Sequence, residues 1–142
     1  MKFLLDTDHI SFLQAMSGPE YVTLSTRISR HSPADFAFSL VSFHEQMLGC
    51  YTRFNRARTT PDVVRAYELL DQVFQSYRRV AILQFDAAAG AVFDGLAAQR
   101  IRVGTMDLRI ASIALSRGLT VLTRNLRDFR RMPNLLAEDW TV

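Results

Sequence analysis

The chain reads as α/β, a mainly parallel sheet covered by helices. Short apolar runs at Phe3-Leu4-Leu5, 36–41, 80–83 and 119–123 alternate with longer helix-like stretches, the order expected of a parallel sheet with helical crossovers. The first run is continuously apolar rather than alternating, as in a strand buried on both faces. No internal repeat, linker or low-complexity segment interrupts the 142 residues, so residues 1–142 are expected to form a single domain with a substantial core.

Taken in order, Phe3-Leu4-Leu5 is the first strand, and two acids, Asp6 and Asp8, follow it at once. His9 to Met16 reads as a short helix. Ser17-Gly18 ends it, and Pro19 suits the first position of a second helix running to about Arg30. Phe36 to Val41, rich in aromatic and branched residues, is the second strand. Ser42-Phe43-His44-Glu45 then has the serine-x-x-glutamate form of a capping box, opening a helix to about Asn55.

Thr60-Pro61-Asp62 restarts a helix, with Thr60 as N-cap. On it Val63, Tyr67, Leu70, Phe74 and Tyr77 share one face, which Arg65, Glu68 and Asp71 avoid. Packing within the domain is the favoured reading of most of that stripe; a helical hairpin offered to another protein is the alternative. Val80 to Leu83 is a short strand, and Asp86 can cap a helix to about Gln99. After a loop at 100–104, Thr105-Met106-Asp107 opens a helix through Leu115, with Gly118 placed to stop it. Leu119 to Thr123 is a strand, 124–129 a loop or short helix, and 135–142 a candidate edge strand.

Composition narrows the classes. Cys50 is the only cysteine, which excludes an intrachain disulfide and a multi-cysteine zinc site and fits the cytoplasm. An acid arrives too early for a secretory leader, and no apolar run approaches the roughly 18 residues of a membrane helix. The net charge is +3, and Lys2 is the only lysine among 17 basic residues. Arginine forks match phosphates, which favours a nucleic-acid partner; a GC-rich genome explains the same bias equally well.

Four positions share one property, lying just beyond a strand or at a helix start: Asp6, Glu45, Asp107 and Asn125. A buried strand's carboxyl end is where open α/β sheets bind ligands. Carboxylates gathered there repel one another unless a hard divalent cation such as Mg²⁺ or Mn²⁺ joins them, the arrangement of metal-assisted phosphodiester hydrolysis. Each has an ordinary alternative. Asp6 can cap the first helix, although Asp8 can do so instead. The capping box alone explains Glu45, the helix macrodipole explains Asp107, and turn chemistry explains Asn125 and Asp128. Other chemistries fare worse. A zinc-protease motif starting at His44-Glu45 needs histidine at 48, where Leu48 stands. There is no glycine-rich phosphate loop and no nucleophile elbow. His9, His31 and His44 lack ligand spacing, which points to surface or local hydrogen-bonding roles, and Cys50 reads as a helix-packing residue.

At these residues the chain resembles PIN-domain ribonucleases, specifically the VapC toxins of bacterial toxin–antitoxin pairs. Phe3 to Ser11 looks like that family's first motif, and Ser42 with Glu45 and Gly49 is similar to its second. The strongest likeness is Val103-Gly104-Thr105-Met106-Asp107-Leu108-Arg109-Ile110-Ala111, then Leu122-Thr123-Arg124-Asn125 with Asp128-Phe129, and the ending Leu136-Ala137-Glu138-Asp139-Trp140. The resemblance implies a PIN-like three-layer fold with a four- or five-stranded, mainly parallel sheet flanked by helices. It implies Mg²⁺- or Mn²⁺-dependent RNA cleavage that inhibits translation, with Asp6, Glu45 and Asp107 as metal-binding acids. Asn125 falls where the family carries aspartate or asparagine; being uncharged, it weakens a second metal site, to which Asp128 contributes instead. Asp8 is a further candidate acid, and Arg109, Arg124 and Arg127 are candidates for RNA contact, each equally readable as a solvated helix charge. A homodimer is implied, as is a cognate VapB-type antitoxin that covers the site and assembles with the chain.

Two other readings remain open on residues alone. Leu4-Leu5-Asp6-Thr7-Asp8 also resembles the first motif of haloacid-dehalogenase phosphatases, with Asp6 as nucleophile and Asp8 as general acid, but no lysine follows Lys2. A non-catalytic interaction module keeping a decayed site is the third.

Overall fold

The computed structural model describes residues 1–142, and its core is a five-stranded sheet in which every pairing is parallel. The strands are β1 (Phe3–Leu5), β2 (Phe36–Ser39), β3 (Ala81–Leu83), β4 (Thr120–Leu122) and β5 (Ala137–Glu138), in spatial order β3-β2-β1-β4-β5. β1 is the centre. Leu4 pairs with Ala37 on one side and Val121 on the other. The chain steps outward through β2 and β3, then returns to the far side of β1 as β4. Parallel crossovers are right-handed, so reversing direction sends the later helices to the opposite face. The carboxyl ends of β1 and β4 therefore flank the topological switch point, the usual ligand crevice of such sheets.

The helices are α1 (Thr7–Ala15), α2 (Pro19–Ile28), α3 (Leu40–Arg56), α4 (Thr60–Tyr77), α5 (Ala87–Ala98), α6 (Thr105–Arg117) and α7 (Leu126–Phe129). They cover both faces, giving the three layers expected. One core gathers Leu4, Ala37, Val121 and the buried side of α6, including Ile110 and Ile113. The other gathers Leu5, Leu24, Phe38, Cys50, Tyr77, Leu122 and Trp140. Fully burying each large aliphatic side chain contributes about 2 kcal/mol, so the layers hold without a disulfide. Gly118 ends α6 at φ 67°, a left-handed conformation that glycine adopts without a Cβ penalty.

Several boundaries differ from expectation, for local reasons. β2 stops at Ser39, whose hydroxyl accepts the Ser42 N–H at 3.0 Å, so Ser39 rather than Ser42 caps α3. The expected capping box is absent. Glu45 sits six residues past the true cap, in the second turn. α4 is likewise capped one residue early, by Thr59, which accepts from Asp62 N–H. α1 begins at Thr7 rather than His9, with Asp6 itself as its N-cap. The last strand keeps only Ala137 and Glu138, paired parallel to β4.

The stripe on α4 divides. Ala66, Val73 and Tyr77 are buried, while Val63, Tyr67 and Phe74 remain exposed. Internal packing thus fails for most of the predicted face, because α4 turns its smaller residues inward. No helix is long and apolar enough to cross a membrane.

Candidate active site

Five of the predicted residues converge at the mouth between β1, β4 and the start of α6. Asp6 leaves β1 with only 5% of its surface exposed. Its Oδ1 accepts the Thr7 N–H and its Oδ2 accepts the Thr123 hydroxyl, both at 2.8 Å. Burial, followed by the charge of Asp8, pushes its pKa up to about 7 against the two hydrogen bonds, which pull it down. A carboxylate merely capping a helix gains from that helix and is not raised so far.

Asp107 occupies the first turn of α6, whose cap residue, Gly104, offers no side-chain acceptor. The macrodipole there favours a negative charge and would lower the pKa. Instead the pKa is raised, by burial first and then by the charge of Glu45, with smaller contributions from Asp128 and Asp8. The neighbouring acids outweigh the helix.

Glu45 projects from the second turn of α3, where its Oε1 lies 2.9 Å from Thr7 Oγ1. The same hydroxyl lies 3.0 Å from Ser42 Oγ, so one proton serves two acceptors. With Ser39 holding the cap, nothing in helix capping requires Glu45.

Asn125 is more than a turn residue. Its amide Nδ2 donates to Asp107 Oδ2 and to Asp128 Oδ2, each at 3.1 Å, tying two carboxylates together without adding charge. Its backbone N–H donates to Thr123 Oγ1 at 2.9 Å.

Asp8 turns to a different task. Its Oδ1 takes a 2.6 Å hydrogen bond from His9 Nδ1, and its Oδ2 accepts the Arg124 N–H at 3.0 Å. His9 is completely buried, and its Nε2 accepts the Trp140 N–H at 3.1 Å, which assigns the proton to Nδ1. The expected surface or local role of His9 is corrected: it joins the start of α1 to the segment after β5. A lone histidine in a polar run gave no sequence signal for this. Thr7, Ser42 and Thr123 were also missed. Their positions beside the strand ends were visible, but not which oxygens they would meet.

The three arginines do not act alike. The Arg124 side chain leaves the mouth for Asp139, at 4.0 Å, and for the Phe12 ring. Arg109 is half-buried against Met106 Sδ at 3.7 Å, and Arg127 is exposed.

Asp6, Glu45, Asp107 and Asp128 take part in none of the structure's ion pairs. Every donor found on them is neutral: backbone N–H, hydroxyl or amide. Mutually repelling oxygens without a cation are a donor set that suits a hard divalent ion. They are not a closed cage, since no three His, Cys, Asp or Glu side chains meet around one point as they stand.

Ribonuclease VapC1 of Haemophilus influenzae (strain R2866) is 30% identical to the chain over 146 residues, spanning 99% of each. The chain belongs to the VapC ribonuclease family. The tRNA(fMet)-specific endonuclease VapC of Shigella flexneri is 43% identical over 67 residues, a match covering 44% of this chain and about half, 51%, of that relative. Among solved structures, DNA-bound VapBC from Salmonella typhimurium superposes with a TM-score of 0.80 at 27% identity, covering 99% of this chain and 98% of that one. No family model matches the chain. The fold expected from the VapC resemblance, α/β with a parallel sheet between helical layers, is the fold observed.

Proposed function

We propose that this VapC-family chain is a Mg²⁺- or Mn²⁺-dependent endoribonuclease, the toxin of a toxin–antitoxin pair, and that it inhibits translation in the cytoplasm. One observation carries this reading: four acids share the sheet's ligand crevice, raise one another's proton affinity, and have only neutral donors for company. Asp6 and Asp107 would hold the principal ion, with Glu45 completing the set and Asp128 adding a further oxygen. Bound there, the cation supplies a water of lowered pKa and neutralises charge building on the phosphate. Thr123 and Thr7 fix the Asp6 carboxylate, and Thr7 also faces Glu45. Asn125 keeps Asp107 and Asp128 together without an added charge. Arg109 and Arg127 are positioned to meet the RNA backbone near α6 and α7, whereas Arg124 contributes its backbone N–H to Asp8.

Residues 1–142 act as one such domain, as a homodimer, and a cognate VapB-type antitoxin covers the mouth. The solved Salmonella relative is a VapBC assembly, which supports that partner. The Shigella relative is named for tRNA(fMet), so that RNA is the first substrate to try. A phosphatase using Asp8 as general acid needs that carboxyl free, and here both its oxygens are engaged.

The test uses metal-stripped protein. It should not cut RNA in chelator, should do so with Mg²⁺ or Mn²⁺, and should lose cleavage in Asp6→Asn and Asp107→Asn. Mn²⁺ should raise the Tm of the wild type but not of Asp6→Asn, because a ligand that binds only the folded state stabilises it. Produced without antitoxin, the wild type should arrest growth and Asp107→Asn should not. Undiminished cleavage in chelator would overturn the metal mechanism.

A further inference from the structure

We infer that the groove between α1, α3 and α4 is a binding track for the single-stranded RNA leaving the mouth, with a backbone phosphate held by Arg53 and Arg56. The inference rests on the ribonuclease reading and extends it to a surface distant from the acids.

The groove has a volume of about 590 Å³. Its near end is made by Ser11 and Gln46, its far end by Arg53 and Arg56. The near end adjoins the acids directly. Ser11 Oγ donates to Thr7 O at 3.0 Å, and Gln46 follows Glu45 in sequence. Helical geometry makes the path continuous. Residues 45, 49, 52 and 56 are spaced by four, three and four and so follow one side of α3, with Arg53 adjoining that row. At 1.5 Å per residue, Arg53 and Arg56 stand about 12 and 16 Å along the axis from Glu45, a few nucleotides from the scissile bond. Between them Gly49 leaves the wall low, with nothing within 4 Å of where its Cβ would lie.

The chemistry along the path suits RNA. Apolar side chains line part of the groove, giving surface for base faces, while Gln14 and Gln46 exchange hydrogen bonds at 2.8 and 3.0 Å on one wall. At the far end a second hollow joins Arg53 and Arg56 to Arg65 and Asp62. Asp62 is committed to Arg65 and to the Arg58 N–H. Arg53 and Arg56 belong to no ion pair and are exposed. The macrodipole favours bases in the last turn of α3, but it does not require two of them to converge on a hollow with no free acid. Bidentate guanidinium groups in such a place match a phosphate.

Binding is measured first, in the Asp6→Asn background with Mg²⁺, using fluorescently labelled single-stranded RNA of about twelve nucleotides. Arg53→Gln with Arg56→Gln should raise Kd about tenfold and flatten the slope of log K against log salt by about 1.4, since each lost phosphate contact removes about 0.7 on a single strand. Gly49→Leu should weaken binding while holding or raising Tm, because leucine favours the helix and the Cβ meets open space. Arg30→Gln, beyond α2 and before the amino end of β2, should change neither quantity. Cleavage by the same variants in the active background should show a raised KM for the long RNA, a larger penalty than for one too short to reach Arg53. An unchanged Kd and salt slope in the double variant overturns the inference, even if the wild type cleaves RNA normally. Intact RNA binding with loss of antitoxin affinity overturns it in favour of a protein-binding groove. RNA binding that falls as expected in a protein that never cleaves keeps the track and rejects the ribonuclease reading.

Discussion

Helices α6 and α4 are both amphipathic in sequence, yet the fold uses them in opposite ways. α6 buries Leu108, Ile110, Ala111, Ser112, Ile113 and Ala114, nearly two turns around. α4 is longer and buries only Ala66, Val73 and Tyr77, leaving Val64, Tyr67 and Phe74 in solvent. The first carries Asp107 and has little freedom to move. The second, with α3, forms an arm whose apolar surface exceeds what its own domain covers. A hollow there is lined by Phe43, Met47, Tyr67, Leu70 and Phe74, and patches of this kind mark protein contacts. Rigidity has gone to the helix that holds chemistry, and uncovered surface to the helices that meet partners.

Breaking that contrast should have its largest effect at α6. Ile113→Ala removes a fully buried side chain and should cost about 3 kcal/mol in urea unfolding. A cost under about 1 kcal/mol would mean that α6 is not the anchored helix.

Between the two helices lies Asp6, and its response should depend on pH. Its folded pKa is raised to about 7, so without metal the folded state binds the proton more tightly than the unfolded state. That stabilisation is complete below the ordinary carboxylate range and is lost as pH rises through about 7. In chelator, Asp6→Asn should therefore be more stable than the wild type at pH 8, by at most about 4 kcal/mol, with the gap closing toward pH 4. Thermal melts across that range check it, and a wild-type advantage at pH 8 would make Asp6 structural.

On the arm, Leu48→Ser with Phe74→Ser alters two exposed side chains. The fold should change by under about 1 kcal/mol, while association with a second copy or with antitoxin should weaken at least about tenfold. Sedimentation of the chain alone and with antitoxin reads both, and unaltered association by both would leave the arm's surface unexplained.

The smallest effect belongs to Tyr77, where the arm reaches the core. Its buried hydroxyl has no hydrogen-bond partner, and burial, then Glu45, raises its pKa. Tyr77→Phe should gain about 1 kcal/mol, the cost of an unsatisfied buried polar group. A loss of similar size would reveal a bound water or a contact with Glu45.

Much of this was legible in sequence because it is local. The apolar runs marked strands near where they lie, Pro19 and Gly118 marked helix ends, and acids beyond strands pointed to one mouth. What stayed hidden is set by contacts distant in sequence. Ser39 and Ser42 are equally good caps on paper, and only the end of β2 decides between them. Both Val63-Tyr67-Phe74 and Ala66-Val73-Tyr77 follow helical spacing, and close approach of α3 and α4 selects the smaller set. His9 gains its meaning from Trp140, 131 residues away.

The central strand has a further consequence, for how the molecule opens. Leu4 belongs to one core and Leu5 to the other, so β1 is a wall shared by both. Neither side can come apart while that wall stays in register, and Asp6 hangs from its end, its N–H bonded to Leu122 O at 2.9 Å. Local fluctuation will fray α2 or the arm long before it reaches this amide. The Asp6 N–H should therefore exchange with solvent deuterium only through global unfolding, which would keep the carboxylates assembled in every partly open form of the chain.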